Sequence, residues 1–425
     1  MIIKNPDEML RLKKIFVEHQ ELNDTDFHIL LCQNTGLNNF REFVYCKKRH
    51  IINRYSLSCS VKRKCIDFEV EIDLEQKEQY FILLLNKLFV LNTVYPANII
   101  HTTIGNIIIL ENIAGFKQVK ISYTFYSEEV EIYYPNSLWL IKPIDYWKIL
   151  EFDIKKIDYP VLVSNAIKRN GEFNLAEICL LIDRIKGPIF YCNRQDRVAK
   201  ITDKDAIIPD YFFVELKRYT NFYCHVMGED KINIRFVGTK LPNNGCVSMP
   251  GLIVFNQSLL QNPHILLYTY FPHEINHQVI GNKLLFHGDG SLWIKESLTE
   301  YIQSLYWKER FKTSLYRNMI KKYADIYFKY NEFEIPISMI NESVSNECYL
   351  CTIAGKGVLL FMYAFLETEN PILLLQSLIL ELNNIGRKIT LELFLSILAP
   401  KLSSKTFRNL IHYVYNLGVP CLEVI

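Results

Sequence analysis

Residues 271–307 read FPHEINHQVIGNKLLFHGDGSLWIKESLTEYIQSLYW, and the rest of the chain is organised around them. His273-Glu274-Ile275-Asn276-His277 is an HExxH pattern, and eighteen residues separate His277 from Glu296. Residues four apart lie one turn above each other on a helix, so His273 and His277 present their imidazoles from one face to one ion. Glu274 then points beside that ion. Zinc in a hydrolytic site takes three protein ligands and keeps a fourth position for water. Glu296 is the expected third ligand, carried on a second helix that the apolar spacing of Leu292 to Tyr301 predicts. Phe286 to Ser291 has the turn chemistry to join the two helices, with Ser291 or Asp289 as the cap. The expectation is two antiparallel helices with a metal between them.

Zn²⁺ held by His273, His277 and Glu296 would bring the pKa of its water to about 7, and Glu274 is placed to take that water's proton and return it to a leaving nitrogen. Peptide hydrolysis suits this set. A metal-bound histidine usually donates its second ring N–H to a carboxylate or carbonyl. Glu300, one turn beyond Glu296, is the candidate for that contact; an ordinary solvated helix glutamate is the alternative. His287 reads as a loop residue.

The stretch resembles the gluzincin zinc aminopeptidases, peptidase family M1, the group containing aminopeptidase N and the leukotriene-epoxide hydrolase. Their pattern is HExxH, eighteen residues, then Glu. His277-Gln278-Val279-Ile280-Gly281-Asn282 is similar to the family's HQWFGN, and Leu292-Trp293-Ile294-Lys295-Glu296 to its LWLNE. The resemblance implies an α+β chain. A saddle-shaped, antiparallel β domain over residues 1–160 would lead into a thermolysin-like, largely helical peptidase domain over 161–425. Phe407 to Pro420 is similar to the W-x-x-Q-x-G-x-P stretch just beyond the family's catalytic domain, so the further domains of longer relatives are expected to be missing.

The family pattern is also broken in places. Gly245-Cys246-Val247-Ser248-Met249-Pro250-Gly251-Leu252-Ile253 falls where the family has GAMENWGLI, which makes Gly245 and Ser248 the substrate-binding candidates. Ser248 replaces the glutamate that binds a free α-amine, and a serine offers no formal negative charge to an ammonium group. Ala354-Gly355-Lys356-Gly357 resembles the family's YEKG, with Ala354 in the place of the tyrosine that hydrogen-bonds the oxyanion. Tyr349, five residues earlier, is the catalytic candidate to substitute; a buried structural tyrosine is the alternative. Pro272 removes an N–H directly before His273, so the helix should be kinked or restarted there.

Composition narrows the class further. The chain has 425 residues, 49% of them hydrophobic, enough for two cores. A net charge of +2, from 48 basic and 46 acidic residues, supplies no field to recruit nucleic acid or an anionic membrane. Asp7 and Glu8 interrupt the place where a signal peptide would need an apolar run, so a cytoplasmic protein is expected. The eleven cysteines read as reduced and buried, Cys348 and Cys351 of the CxxC included. The expected partner is a peptide or protein substrate. Two rival readings remain: a catalytically weak zinc-binding relative that holds peptides or partner proteins, and a hydrolase of something other than peptide.

Along the chain, Pro6 to Gln20 has helical spacing, whereas Ile66 to Ile72, Val119 to Tyr123 and Glu129 to Ile132 alternate as half-buried strands. Gly105-Asn106 and Gly115 are expected to bound another strand at Ile107 to Leu110. Asn174 to Asp183 reads as a helix, Ile189 to Tyr191 and Lys231 to Val237 as strands, and nearly everything after Gln257 as helix.

Overall fold

The computed structural model describes residues 50–158, with breaks at 63–64, 86–87, 105–106, 127–131, 134–139 and 144–146, then short strands between 162 and 202. It further describes 208–420, apart from 231, 240–244, 312, 342–343 and 386–388. The readings at Pro6 to Gln20, Glu129 to Glu131 and Asn174 to Ile178 lie outside the described residues. The chain divides into two compact units, Met1–Ile185 and Lys186–Ile425.

The first unit is sheet. β1 (His50–Val61), β2 (Cys65–Leu84), β3 (Val90–Tyr95), β4 (Ile100–Ile104), β5 (Ile107–Tyr126) and β6 (Trp147–Asp158) form its main part, in the order β6-β1-β2-β5-β3, with β4 also on β5. Neighbours are antiparallel except β1 and β6. The alternation predicted over Ile66 to Ile72 decides which face is buried: Phe68, Val70 and Ile72 are in the core, while Glu69 and Glu71 face Lys120 at 2.7 and 3.7 Å. Those partly exposed pairs add little stability; the apolar face carries the sheet.

Gly115 does not end a strand. It sits inside β5 at φ +75, where the pairing with β2 slips between Asp73 and Glu78, so glycine serves a bulge rather than a turn. Cys179–Ile182 is likewise a strand, antiparallel to Leu162–Asn165, not the predicted helix. A short apolar run has the same periodicity in either state, and pairing decided it.

The second unit opens with β7 (Ile189–Cys192) and β8 (Val198–Thr202), followed by α1 (Asp210–Met227), β9 (Ile234–Thr239), β10 (Cys246–Met249) and β11 (Leu252–Asn256). The sheet order is β8-β7-β9-β11-β10, with β9 and β11 parallel and β10 at one edge. Helices follow. α2 runs through Pro263–Ile265, a π-helical turn Leu266–Tyr270, and Phe271–Asn276. α3 is Ser291–Phe311, α4 Thr313–Tyr330 and α5 Asn346–Ala364, whose middle, Leu350–Gly357, is π-helical. α6 (Pro371–Ile385), α7 (Leu391–Leu398) and α8 (Ser404–Tyr415) complete it. α5 is long and apolar enough to cross a bilayer, and 72% of that window is buried inside the protein, as in a core helix.

α5 is pressed against its neighbours at two glycines. A Cβ on Gly355 would stand 2.9 Å from the Tyr327 backbone on α4, and one on Gly357 would meet Ser297 Oγ and, at 2.6 Å, Trp293 Cδ1 on α3. The π-helical segment is satisfied from outside: Ser297 Oγ donates to Ile353 O at 2.8 Å, and Trp293 Nε1 donates to Gly357 O at 3.0 Å. Between the glycines, buried Lys356 donates to Glu334 Oε1 at 2.7 Å and to Asn416 O at 2.6 Å. Tyr327 and the Gly418 N–H, each 2.8 Å away, complete the Glu334 carboxylate. Gly357→Ala is expected to lower stability by about 1–3 kcal/mol, since Trp293 and Ser297 have no room to yield; a thermal melt followed by circular dichroism, with Tm falling by a few degrees, checks it.

Candidate metal centre and active site

Pro272 leaves the carbonyl of Tyr268, four residues back, without a helical donor. Gln303 Nε2, from α3, donates to that oxygen at 3.0 Å. The π-helical turn ends there and the α-helical segment Phe271–Asn276 restarts, carrying His273 and Glu274, with His277 at its C-cap. Asn276, fully buried, donates Nδ2 to Thr299 O at 3.1 Å and accepts from the Tyr219 hydroxyl at 2.8 Å, which ties α2 to α3 and α1. α3 begins at Ser291, directly after Gly290 at φ +78. Asp289 accepts from Asn341 at 3.3 Å.

The structure brings His273, His277 and Glu296 together. Their Nε2 atoms are 3.0 Å apart, and each lies 3.3 Å from Glu296 Oε2. A tetrahedral zinc with bonds of about 2.0–2.1 Å sets its ligand atoms about 3.3 Å apart, which is this spacing. The donor chemistry fits as well. His277 Nδ1 is 2.9 Å from the Ile280 carbonyl, which only accepts, so Nδ1 carries the proton and Nε2 a lone pair. His273 Nδ1 is 2.9 Å from Glu300 Oε1, close but poorly aligned for a straight hydrogen bond, and this too turns the Nε2 lone pair inward. Glu300 is held in turn by the Tyr323 hydroxyl at 2.8 Å. With His273 neutral, two lone pairs and a carboxylate oxygen converge on one point.

Burial and the neighbouring charges together set the proton affinities here. For the imidazole of His273, burial alone would lower the pKa, but Glu296 and Glu300 outweigh it and hold the ring well above the ordinary value. Glu296 goes the other way: burial opposes ionisation, yet Lys295 and the two histidines bring it well below the usual carboxylate range. Glu274, almost fully buried, is pushed upward by burial, partly offset by the histidines. Its carboxylate has no hydrogen-bond partner among the described residues, so its lone pairs are available.

Ser248 and Gly245 lie on β10 or next to it. Ser248 Oγ donates to the Glu274 backbone carbonyl at 2.7 Å and accepts from Gln278 Nε2 at 2.7 Å and Asn282 Nδ2 at 3.3 Å. Gln278 also spans Met249 O at 3.0 Å and Gly251 N at 2.6 Å, so β10 is bonded to the loop and helix that carry the histidines. Gly245 accepts from Asn256 N at 2.9 Å and has open space around it. Tyr349 ends the first turn of α5. Burial and then the charges of Glu296, Glu300 and Glu274 raise its phenol pKa, which places it near the three carboxylates, and its hydroxyl has no hydrogen-bond partner among the described residues.

Comparison with solved structures bears on the fold. The M1 zinc metallopeptidase from Deinococcus radiodurans superposes with a TM-score of 0.59, covering 91% of this chain and 98% of that one, at 11% identity. A mutant of it bound to a Tyr-Ser-Ala substrate gives 0.62 at 11% identity, over 91% of this chain and 99% of that one. The fold is that of the M1 zinc metallopeptidases. A two-domain M1 mutant bound to L-tryptophan gives 0.58 at 11% identity, over 88% of this chain and 96% of that one. No protein-family model matches the sequence, and no curated protein does. At that identity the likeness speaks for the fold.

Sequence reasoning missed Tyr323, Gln303 and Asn276. Tyr323 lies 23 residues beyond Glu300 on another helix, with no local signal. Gln303 was findable, because a proline inside a helix always orphans a carbonyl that some donor must reach. If the trio holds zinc, Glu300→Gln should weaken zinc binding by about 10–100-fold, measured by chelator competition. The affinity of the wild type should fall as pH drops through the raised His273 value, because the proton then competes with the metal; in Glu300→Gln that fall should begin at lower pH.

Proposed function

We propose that the protein is a zinc-dependent metallopeptidase. The observation that carries this is the convergence of His273 Nε2, His277 Nε2 and Glu296 Oε2 at 3.0 to 3.3 Å beside the buried, unpartnered Glu274 carboxylate. Zinc held there would supply a Lewis acid that brings a water's pKa to about 7. Glu274, its proton affinity raised by burial, is placed to accept a proton from an attacking water and to return it to the leaving nitrogen. The Tyr349 hydroxyl is the available donor for the oxyanion. β10 has a strand partner on one side only among the described residues, so an extended peptide can add to its free edge, next to the helix that bears Glu274.

Recognition of a free α-amine does not follow from this site. Ser248 has no formal charge, and its hydroxyl is committed to Glu274 O, Gln278 and Asn282. We therefore read the substrate as a peptide whose cleavage does not depend on its N-terminal amine. A second reading, a zinc-binding relative that holds peptides with weak turnover, is favoured by Ser248 and Ala354 together and opposed by the intact Glu274.

Glu274→Gln should retain zinc and lose cleavage of a peptide library read by mass spectrometry; wild type and variant behaving alike on every peptide would favour the binding protein. Tyr349→Phe should lower kcat by about 100- to 1,000-fold with the fold intact, as loss of one oxyanion donor does. Free and N-acetylated forms of one good substrate should react at similar rates. A large loss on acetylation would reveal an amine anchor elsewhere.

A further inference from the structure

We propose that Lys295 is a positioning residue that restricts Glu296 to a one-oxygen presentation toward the metal and so keeps the coordination number low. This rests on the metal-binding reading above. The two oxygens of Glu296 are divided between partners: Oε2 lies 3.3 Å from both histidine Nε2 atoms, while Oε1 lies 3.0 Å from Lys295 Nζ. A carboxylate free on both oxygens can turn to bind an ion through both, as in sites of six or more ligands. Closed to that by an ammonium group, it serves a four-coordinate ion.

The lysine is itself built into position. A Cβ placed on Gly281 would stand 3.0, 3.1 and 3.3 Å from Lys295 Cε, Cγ and Cδ, so the stem of Lys295 lies along the glycine. Gly281 has φ +104, in the turn just after His277. One glycine thus both makes the turn that follows the second histidine and leaves the channel along which Lys295 reaches Glu296. The stem packs while the charged head stays partly exposed.

The test uses Co²⁺ loaded in place of zinc, because a four-coordinate Co²⁺ absorbs visible light far more strongly than one with five or six ligands. Lys295→Met keeps the stem and removes the charge; Lys295→Arg keeps the charge. The wild type and Lys295→Arg should show the stronger band. In Lys295→Met it should fall by about half or more, and zinc preference over Mn²⁺, measured by competition, should drop about tenfold. Lys295→Gln gives the same reading should the methionine variant fail to fold. An unchanged band in metal-loaded Lys295→Met overturns the inference but leaves the metal site standing. Loss of cobalt uptake by a folded Lys295→Met also overturns it, since the lysine would then act on affinity alone. A wild type that takes up neither cobalt nor zinc overturns this inference and the metallopeptidase reading together.

Discussion

Two imidazole nitrogens facing each other at 3.0 Å, with a carboxylate oxygen 3.3 Å from both, are an arrangement that a protein does not hold without a reason. Uncompensated, the pair repels, and the carboxylate oxygen at 3.3 Å adds a third negative pole. The neighbours enforce the arrangement: the Ile280 carbonyl takes the outer N–H of His277, and Glu300 faces that of His273. A divalent cation, or a proton shared within the trio, is what this geometry accommodates. The tetrahedral spacing favours the first.

That convergence depends on packing away from the three side chains themselves. α2 and α3 are tied by Asn276 to Thr299 and by Gln303 to Tyr268, and α3 is pressed on α5 through Trp293, Ser297 and Gly357. The Lys356 to Glu334 pair is buried, and each charge has other hydrogen bonds, which is the condition under which a buried ion pair does not destabilise. It joins α5 to the Asn416 to Gly418 segment, the stretch whose likeness to the end of a peptidase domain was visible in sequence. Side chains outside the trio thus fix where Glu296 and Tyr349 stand.

Much of this was legible beforehand, and the reasons are local. HExxH works through the four-residue pitch of a helix, and alternation over Ile66 to Ile72 through the two-residue period of a strand; both are read from neighbours in sequence. What stayed hidden depended on partners far along the chain. Gly115 looked like a strand end because glycine marks turns and bulges alike, and only pairing with β2 tells them apart. Cys179 to Ile182 looked helical because nothing in a short apolar run encodes its pairing with Leu162 to Asn165. The Tyr323 contact to Glu300 and the Lys295 path along Gly281 are three-dimensional coincidences of that kind.

The displaced tyrosine has a geometric explanation in the same terms. Tyr349 precedes Ala354 by five residues, and on an α-helix five residues turn about 500°, leaving the two side chains about 140° apart. Leu350–Gly357, however, is π-helical, and its i to i+5 bonding brings the fifth residue close to one full turn. Tyr349 and Ala354 then share a face and differ mainly by one step along the axis, which a long phenol side chain spans. Both are partly buried, and Tyr349 feels the charges of Glu274, Glu296 and Glu300. A local change of helix type would thus move the position of the hydroxyl back along the chain without moving it off the site, which is why Ala354 alone does not argue for an inactive protein.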